Sequence, residues 1–173
     1  MKYYNFDIVF QEIPDEVTLA VNISGCPNRC PGCHSPHLWE NIGTELSEQE
    51  IQSLLDRYGN AITCFCIMGG DGRLDEVEKV AQYLHKISDL KVAWYSGRSE
   101  MPAHFDLFQY VKLGDYRPSH GGLDSMDTNQ RLYRNCDGKA VDITSRFWRK
   151  KVDQMSQERR NILVHSSIPA MQV

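Results

Sequence analysis

Three cysteines near the amino end of the chain are the residues best placed for chemistry. Cys26, Cys30 and Cys33 follow the spacing Cys-x3-Cys-x2-Cys, in a stretch rich in proline and glycine that disfavours a regular helix. We expect residues 25–34, the cysteine loop, to wrap a compact centre. Ordinary 4Fe–4S clusters use four thiolates, so three leave one iron without a protein ligand. An amino-acid-like group can chelate that iron through its amine and carboxylate.

A zinc site is the alternative that spacing alone leaves open. His37 follows Cys33 with three residues between them, so a Cys3His set with Cys26 and Cys30 has the ligands of a structural zinc ion. The chain would then be a zinc-binding interaction module and no enzyme. Cysteines that bind no metal at all are a third interpretation.

The elements that must position the cysteine loop alternate along the chain. Ser47 and Glu50 form a capping box that predicts a helix continuing to Tyr58, and residues 74–87 have the apolar spacing of a second helix. Predicted strands cover residues 17–23, 61–68, 91–95 and 108–113. This order predicts an α/β fold with βαβ units, a mostly parallel sheet and flanking helices. Four or so units are too few for a closed eight-stranded barrel, so we expect an open or partial (β/α) barrel.

The carboxyl ends of parallel strands form the working face of such folds. The cysteine loop follows the first predicted strand, and Gly69-Gly70 ends the second. Residues 131–135 and 140–144 flank a predicted hairpin turn at 136–139.

Length and composition bound the class of protein. The 173 residues make about one domain, with 41% hydrophobic and 24% charged residues, as in soluble globular proteins. The net charge of −4 disfavours binding to nucleic acid, and no apolar run of about 18 residues spans a membrane. We expect a cytoplasmic protein, whose six cysteines serve metal or redox chemistry more than disulfides. Residues 1–149 are predicted to form the domain, and residues 150–173 a polar tail, either solvated or used for docking.

A family resemblance builds on these motifs. The cysteine spacing resembles the radical S-adenosylmethionine superfamily, and Cys-Pro-x-x-Cys-Pro-Gly-Cys is similar to activating proteins of anaerobic ribonucleoside-triphosphate reductase. The likeness covers roughly residues 5–149. Three further segments resemble that narrower family: Gly69-Gly70-Asp71, Trp94-Tyr95-Ser96-Gly97 and Thr128-Asn129-Gln130-Arg131.

The resemblance implies a partial barrel of the radical S-adenosylmethionine type and two cofactors, one 4Fe–4S cluster and S-adenosylmethionine. The metal ligands it implies are Cys26, Cys30 and Cys33. The residues it places at the cofactor are Gly32, Cys33, His34, Gly69, Gly70 and Asp71. A glycine pair after a strand often only makes a turn, but bare backbone also permits close approach to the methionine group. His34 stands where the family often has tyrosine, and Gly72 replaces the family's proline.

The activity implied by the resemblance is that of a glycyl-radical enzyme activase. The reduced cluster would cleave S-adenosylmethionine, and the adenosyl radical would take hydrogen from a glycine of the reductase's large catalytic subunit. A flavodoxin- or ferredoxin-type protein would supply the electron. Another glycyl-radical enzyme, or a small heterocycle, is an alternative substrate.

The remaining candidate residues have weaker patterns. Cys64 and Cys66 share one face of the second predicted strand and are expected in the core, while Cys136 is expected to be incidental. Residues near the end of the fourth predicted strand are expected either to line the site or to be solvated, namely Lys112, Asp115, Tyr116 and Arg117. Asn129, Gln130 and Arg131 are candidates for cofactor or partner contacts.

Overall fold

The computed structural model describes residues 1–148, which contain eight strands and two α-helices. In chain order these are β1 (Lys2–Val9), β2 (Thr18–Ile23), β3 (Thr44–Glu45), α1 (Glu48–Tyr58), β4 (Cys64–Met68), α2 (Leu74–Ile87), β5 (Lys91–Tyr95), β6 (Tyr110–Leu113), β7 (Arg131–Cys136) and β8 (Lys139–Asp142). Short 3-10 turns span Pro36–Trp39, Gly59–Ala61, Phe105–Leu107 and Thr144–Trp148.

All eight strands form one open sheet in the order β3-β1-β2-β4-β5-β6-β7-β8. The four central strands β2, β4, β5 and β6 are parallel neighbours. The outer strands on both sides pair antiparallel. The carboxyl ends of the four parallel strands therefore lie at one edge of the sheet, as the alternation of elements predicts.

The predicted partial (β/α) barrel with a mostly parallel sheet and flanking helices is wrong. The sheet is mixed and does not close, and residues 1–148 contain only two α-helices. The connection from β5 to β6 contains a 3-10 turn, Phe105–Leu107, where a βαβ unit would carry a helix. After β6 the chain turns back through the antiparallel strands β7 and β8, which end the sheet on that side.

Both helices belong to the main hydrophobic core, which lies on one face of the sheet. Helix α1 begins after Ser47, whose Oγ accepts a hydrogen bond from the main-chain N–H of Glu50 at 3.2 Å. Only half of the predicted capping box forms, because the Glu50 carboxylate accepts from the hydroxyl of Tyr3. Helix α2 buries Val77 and Leu84 completely. The two helices thus cover the face formed by alternate residues of the parallel strands.

The second face of the sheet is covered by loops. Cys64 and Cys66 point to this face and are fully buried, which confirms their predicted place in the core. Ile13, from the connection between β1 and β2, is also fully buried there, and Phe147 packs against the same cluster. Burial raises the pKa of the Cys64 thiol to about 12, so this thiol stays protonated.

A polar cluster ties the amino ends of the parallel strands, at the edge opposite the cysteine loop. Glu16 is only 5% exposed, and its carboxylate accepts hydrogen bonds from Lys91, Tyr110 and Thr63 at 2.5 to 2.6 Å. Lys91 and Tyr110 begin β5 and β6, and Thr63 directly precedes β4, so one carboxylate joins the starts of three neighbouring strands.

Strand β1 is a strand that the sequence pattern does not predict. The register of β1 against β2 shifts between Tyr3 and Asn5, which marks a bulge. The main core contacts three side chains of this strand, Tyr3, Phe6 and Ile8. Because of the bulge, they do not alternate regularly with polar residues, so the sequence lacks the usual strand pattern.

The predicted hairpin near residue 137 is confirmed. Asp137 and Gly138 join β7 to β8 with positive φ angles of 54° and 81°, as a two-residue hairpin turn requires. The predicted tail, residues 150–173, lies outside the described residues. Across residues 1–148 we find no helix with the length and hydrophobicity needed to cross a bilayer.

Candidate functional site

Four loops meet at the carboxyl edge of the parallel strands. The cysteine loop follows β2, and residues 69–73, 96–98 and 114–118 follow β4, β5 and β6. The cysteine loop contacts all three others. Asn28 donates a hydrogen bond to Asp71, and a Cβ atom on Gly97 would overlap the Asn28 amide. A Cβ atom on Gly32 would come within 2.8 Å of Pro118.

Main-chain hydrogen bonds tie the start of the cysteine loop to the residues that follow it. The N–H groups of Gly25 and Cys26 donate to the carbonyls of Glu40 and Leu38 at 3.0 and 2.9 Å. Gly25 and Gly32 have φ angles of +77° and +70°, a conformation that favours glycine. The positive φ angles turn the chain back at these two glycines and keep the loop compact. The predicted loop conformation of residues 25–34 is therefore confirmed.

The donor chemistry of the loop fits an iron–sulfur cluster. Cys26, Cys30 and Cys33 are free thiols of intermediate exposure. The Cys33 sulfur accepts a hydrogen bond from the N–H of Ser35 at 3.4 Å. Burial raises the pKa of the Cys26 thiol, while main-chain hydrogen bonds from Asn28 oppose that rise. Main-chain donors around thiolates stabilise their charge and are a known feature of cluster sites.

His37, the fourth ligand of the zinc alternative, lies against another side chain. Its ring centroid is 4.7 Å from that of Tyr4. Within residues 1–148, no group of three or more histidine, cysteine, aspartate or glutamate side chains is arranged to hold one metal ion. A zinc ion requires its ligands to converge on one point, whereas a cluster binds each thiolate through a different iron. The arrangement therefore gives no support to a Cys3His zinc site.

Asp71 joins three of the four loops. The residue is 7% exposed, and its Oδ1 accepts from the Ser96 hydroxyl at 2.6 Å. Its Oδ2 accepts from the main-chain N–H of Gly97 at 3.0 Å and from the Asn28 amide. Both carboxylate oxygens are thus used within the protein. The expected contact of Asp71 with S-adenosylmethionine stays a prediction.

Gly69 and Gly70 are required by the local packing. Gly69, with φ of +104°, donates its N–H to the carbonyl of Tyr95 and accepts from the indole N–H of Trp94. A Cβ atom on Gly70 would come within 2.6 Å of Val77 on α2. Close approach of α2 to the strand end is therefore one reason for glycine here. It leaves open the predicted contact of this turn with a cofactor.

His34 and Gly72, where the sequence differs from the family it resembles, both lie at this edge. The exposed ring of His34 packs on Tyr116, with 4.8 Å between ring centroids. Gly72 faces Pro27 with space for a side chain, since a Cβ atom would lie 3.6 Å from that ring. His34 and Tyr116 thus present two flat rings at the end of the cysteine loop. Gly72 and Pro27 leave space between the cysteine loop and the turn after β4.

Lys112 and Asn129 are brought to the same edge. Lys112 is 8% exposed, and its ammonium donates to the carbonyls of Gly114 and Ser96 at 2.6 and 3.3 Å. Burial lowers the pKa of Lys112 to about 8. Asn129 donates to the carbonyl of Asp115 and so braces the loop after β6. Gln130 and Arg131 also bond to main-chain carbonyls.

Asn28 is the site residue that sequence reasoning missed. Its partner Asp71 is 43 residues away, and neither position has a periodicity that would pair them. Gly97 belongs to a segment with a family resemblance, but the sequence does not indicate that its lack of a side chain makes room for the Asn28 amide. The only sequence signal for the contact between Asn28 and Asp71 is that each of them follows a predicted strand.

Comparison with known proteins supports the cluster part of the interpretation. A family model described as a 4Fe-4S single cluster domain matches residues 16–98. That range includes the three cysteines and the Gly69-Gly70-Asp71 turn. No curated protein and no solved structure matches the chain. The match indicates a 4Fe–4S cluster domain, which is compatible with a redox enzyme.

Proposed function

We propose that this chain is a radical S-adenosylmethionine activating enzyme that installs a glycyl radical on the large catalytic subunit of anaerobic ribonucleotide reductase. Cys26, Cys30 and Cys33 would hold the 4Fe–4S cluster. When bound, the cluster would supply the single electron that breaks the sulfonium carbon–sulfur bond and releases methionine, and the resulting adenosyl radical would take a hydrogen atom from the glycine Cα.

One observation carries the proposal: the cysteine loop and the turn at residues 69–71 meet at one edge of the parallel strands. A structural zinc site would need the cysteine loop, but it would not need the turn at residues 69–71 beside it. Three thiolates and an adjacent binding surface suit a cluster with one iron left open for substrate.

The chain's own residues have separate roles in this proposal. The Asn28–Asp71 hydrogen bond holds the cysteine loop against the turn after β4. Exposed His34, on Tyr116, provides a flat surface for the adenine ring. Gly32 and half-buried Gly69 would let the methionine group approach the backbone closely, while Gly70 is buried against Val77 and would shape the turn.

A protein substrate fits the exposure of this edge. The cysteine loop is largely exposed, and residues 1–148 contain no second domain that would enclose a small molecule. A glycine-bearing loop of a partner would reach the site from solvent. A flavodoxin- or ferredoxin-type protein would donate the electron.

Metal content and cofactor cleavage test the enzyme part of the proposal. The full chain is reconstituted anaerobically with iron and sulfide, and both are expected to approach four per chain. Dithionite and S-adenosylmethionine should then yield 5′-deoxyadenosine and methionine. Stoichiometric zinc binding without cleavage would contradict the proposal and restore the interaction-module alternative.

The partner requires a separate measurement. Mixing the reduced enzyme and S-adenosylmethionine with anaerobic ribonucleotide reductase should produce the doublet electron paramagnetic resonance signal of a glycyl radical. The matched control is a reductase whose radical glycine is replaced by alanine. Cleavage without a radical on the reductase would exclude this substrate and leave another glycyl-radical enzyme or a small heterocycle.

A further inference from the structure

Lys112 is a buried cation that the proposed chemistry has not yet used. It lies near the end of β6, on the loop-covered second face of the sheet, and only 8% of the residue is exposed. Its ammonium donates to two main-chain carbonyls, those of Gly114 and Ser96. Ser96 in turn donates through its hydroxyl to Asp71. A short chain of contacts thus connects the ammonium to the hydrogen bond that holds the cysteine loop.

The charge of this ammonium is only partly balanced by protein groups. Among residues 1–148, no carboxylate lies within 4 Å of Lys112 to form an ion pair. The acidic groups whose negative charge would favour its protonated form are Asp71, then Cys30, then Asp115. A buried charge is costly unless nearby opposite charge compensates it. A cluster bound to the cysteine loop would add negative charge near this ammonium.

We propose that Lys112 offsets the negative charge of the thiolate-held cluster and so sets how easily that cluster is reduced. This inference rests on the cluster in the proposed function. Cys30 is the cysteine of the loop that interacts electrostatically with the ammonium, and reduction of a cluster held there would add one more electron. Because attraction is stronger in a poorly solvated site, a fixed cation there stabilises the reduced form. Net charge and hydrogen bonding around a cluster are the terms that set its potential.

The redox step itself is simple in its balance. One electron passes from the external donor protein to the cluster, so the donor is oxidised and the cluster is reduced. No bond breaks and no proton moves in this step. Lys112 stays positively charged throughout this step. It acts on the cluster through its electrostatic attraction and does not contact the substrate.

Removing the charge without removing the packing tests the inference. In the reconstituted full chain, Lys112→Met keeps an unbranched, slightly shorter side chain without the charge, and Lys112→Gln keeps a donor for the carbonyls. Both should lower the equilibrium constant for cluster reduction by on the order of tenfold, a negative shift of about 59 mV in the midpoint potential for one electron. The potential is read by electron paramagnetic resonance during redox titration.

Two further variants make the result specific. Lys112→Arg retains the positive charge and should keep the midpoint close to that of the wild type. Lys139→Met removes one exposed lysine from β8, near the opposite edge of the sheet, and should leave the midpoint unchanged. Iron content and thermal unfolding are measured for every variant, so the Gln and Met variants can be compared at equal cluster occupancy.

The outcomes separate this inference from the proposed function. Equal midpoint potentials in wild type, Lys112→Met and Lys112→Gln would overturn the role of Lys112, even if S-adenosylmethionine is still cleaved. A negative shift in a chain that does not cleave S-adenosylmethionine would support the role of Lys112 and reject the proposed enzyme. Failure of the wild-type chain to bind a cluster would overturn both.

Discussion

The Asn28 side chain donates a hydrogen bond to the Asp71 carboxylate, and this contact joins the cysteine loop to the end of β4. Asp71 is held from its other side by Ser96 and Gly97 at the end of β5. Two strand ends therefore position one side-chain amide. Because Asn28 lies between Cys26 and Cys30, the contact fixes the middle of the metal-binding segment.

Replacing Asn28 by alanine should loosen the cysteine loop without unfolding the domain. One hydrogen bond from an exposed amide to a buried carboxylate contributes about 1 kcal/mol to the free energy of unfolding. The effect on the cluster should be larger, and we expect faster loss of iron to a chelator. The exposed Asn60, in a 3-10 turn after α1, gives the control Asn60→Ala. Equal chelation rates in the two variants would contradict the positioning role of Asn28.

Gly97→Ala should act through the same hydrogen bond. The new Cβ atom would overlap the Asn28 amide and lie 3.2 Å from Asp71, so the exposed amide must move away. We expect a destabilisation of about 1 kcal/mol. The double variant Asn28→Ala, Gly97→Ala should be about as stable as either single variant.

Gly72→Ala is the matched control for the glycine substitution. A Cβ atom there would make an ordinary contact with Pro27, so its effect should stay within about 0.5 kcal/mol. Urea unfolding measures all four variants. Additive losses in the double variant would show that Gly97 acts independently of Asn28.

Single alanine substitutions at Cys26, Cys30 and Cys33 should each abolish stable cluster binding, since each removes one of three thiolates. Iron and sulfide analysis after reconstitution provides the measurement. Cys136→Ala removes an exposed thiol near the other edge of the sheet and should leave the iron content unchanged. Cys64→Ala removes a buried thiol, so it should lower the stability of the fold without changing the iron content. A cluster that survives loss of Cys33 would refute the ligand assignment.

Glu16 should make stability depend on pH. Burial raises the pKa of its carboxyl group, but hydrogen bonds from Lys91, Thr63 and Tyr110 outweigh burial and lower it below the usual 4.5. A carboxylate with a lowered pKa in the folded state contributes stability that is present above the unfolded value. That contribution is lost as the pH falls below about 4.5 and through the folded pKa.

Glu16→Gln tests this pH dependence. The variant should be less stable at pH 7 by about 2 kcal/mol, because the hydrogen bonds from Lys91, Thr63 and Tyr110 lose a charged acceptor. Its difference from the wild type should shrink as the pH falls below 4.5. Glu100→Gln, which removes an exposed carboxylate, should show neither effect. Urea unfolding at a series of pH values measures both, and a constant difference across pH would contradict the assignment to Glu16.

Local sequence patterns predicted most of the central elements. The apolar runs correspond to β2, β4, β5 and β6, and the helical spacing of residues 74–87 corresponds to α2. Asp137-Gly138 predicted its hairpin because few residues accept positive φ. The partial barrel and its number of βαβ units were predicted wrongly, since nothing local distinguishes the 3-10 turn Phe105–Leu107 from the missing helix of a βαβ unit.

The sequence was enough to propose the cysteine loop as a candidate site, but it was not enough to predict the contacts around that loop. Cysteine spacing identifies possible ligands because they are close in sequence. The contacts of Asp71 depend on two other strand ends, and the burial of Lys112 depends on loops that cover the second face. Such long-range relationships follow from packing, so sequence alone left Lys112 equally compatible with a solvated position.

The contacts of the cysteine loop also bear on how the protein matures. Asn28 reaches a residue 43 positions away, and Gly32 packs on Pro118, which belongs to a still later loop. Contacts between distant parts of a chain form late, because loop-closure entropy opposes them until the strands between have paired. We therefore expect a newly made chain to acquire its metal after folding, and variants that slow strand pairing to accumulate as apoprotein.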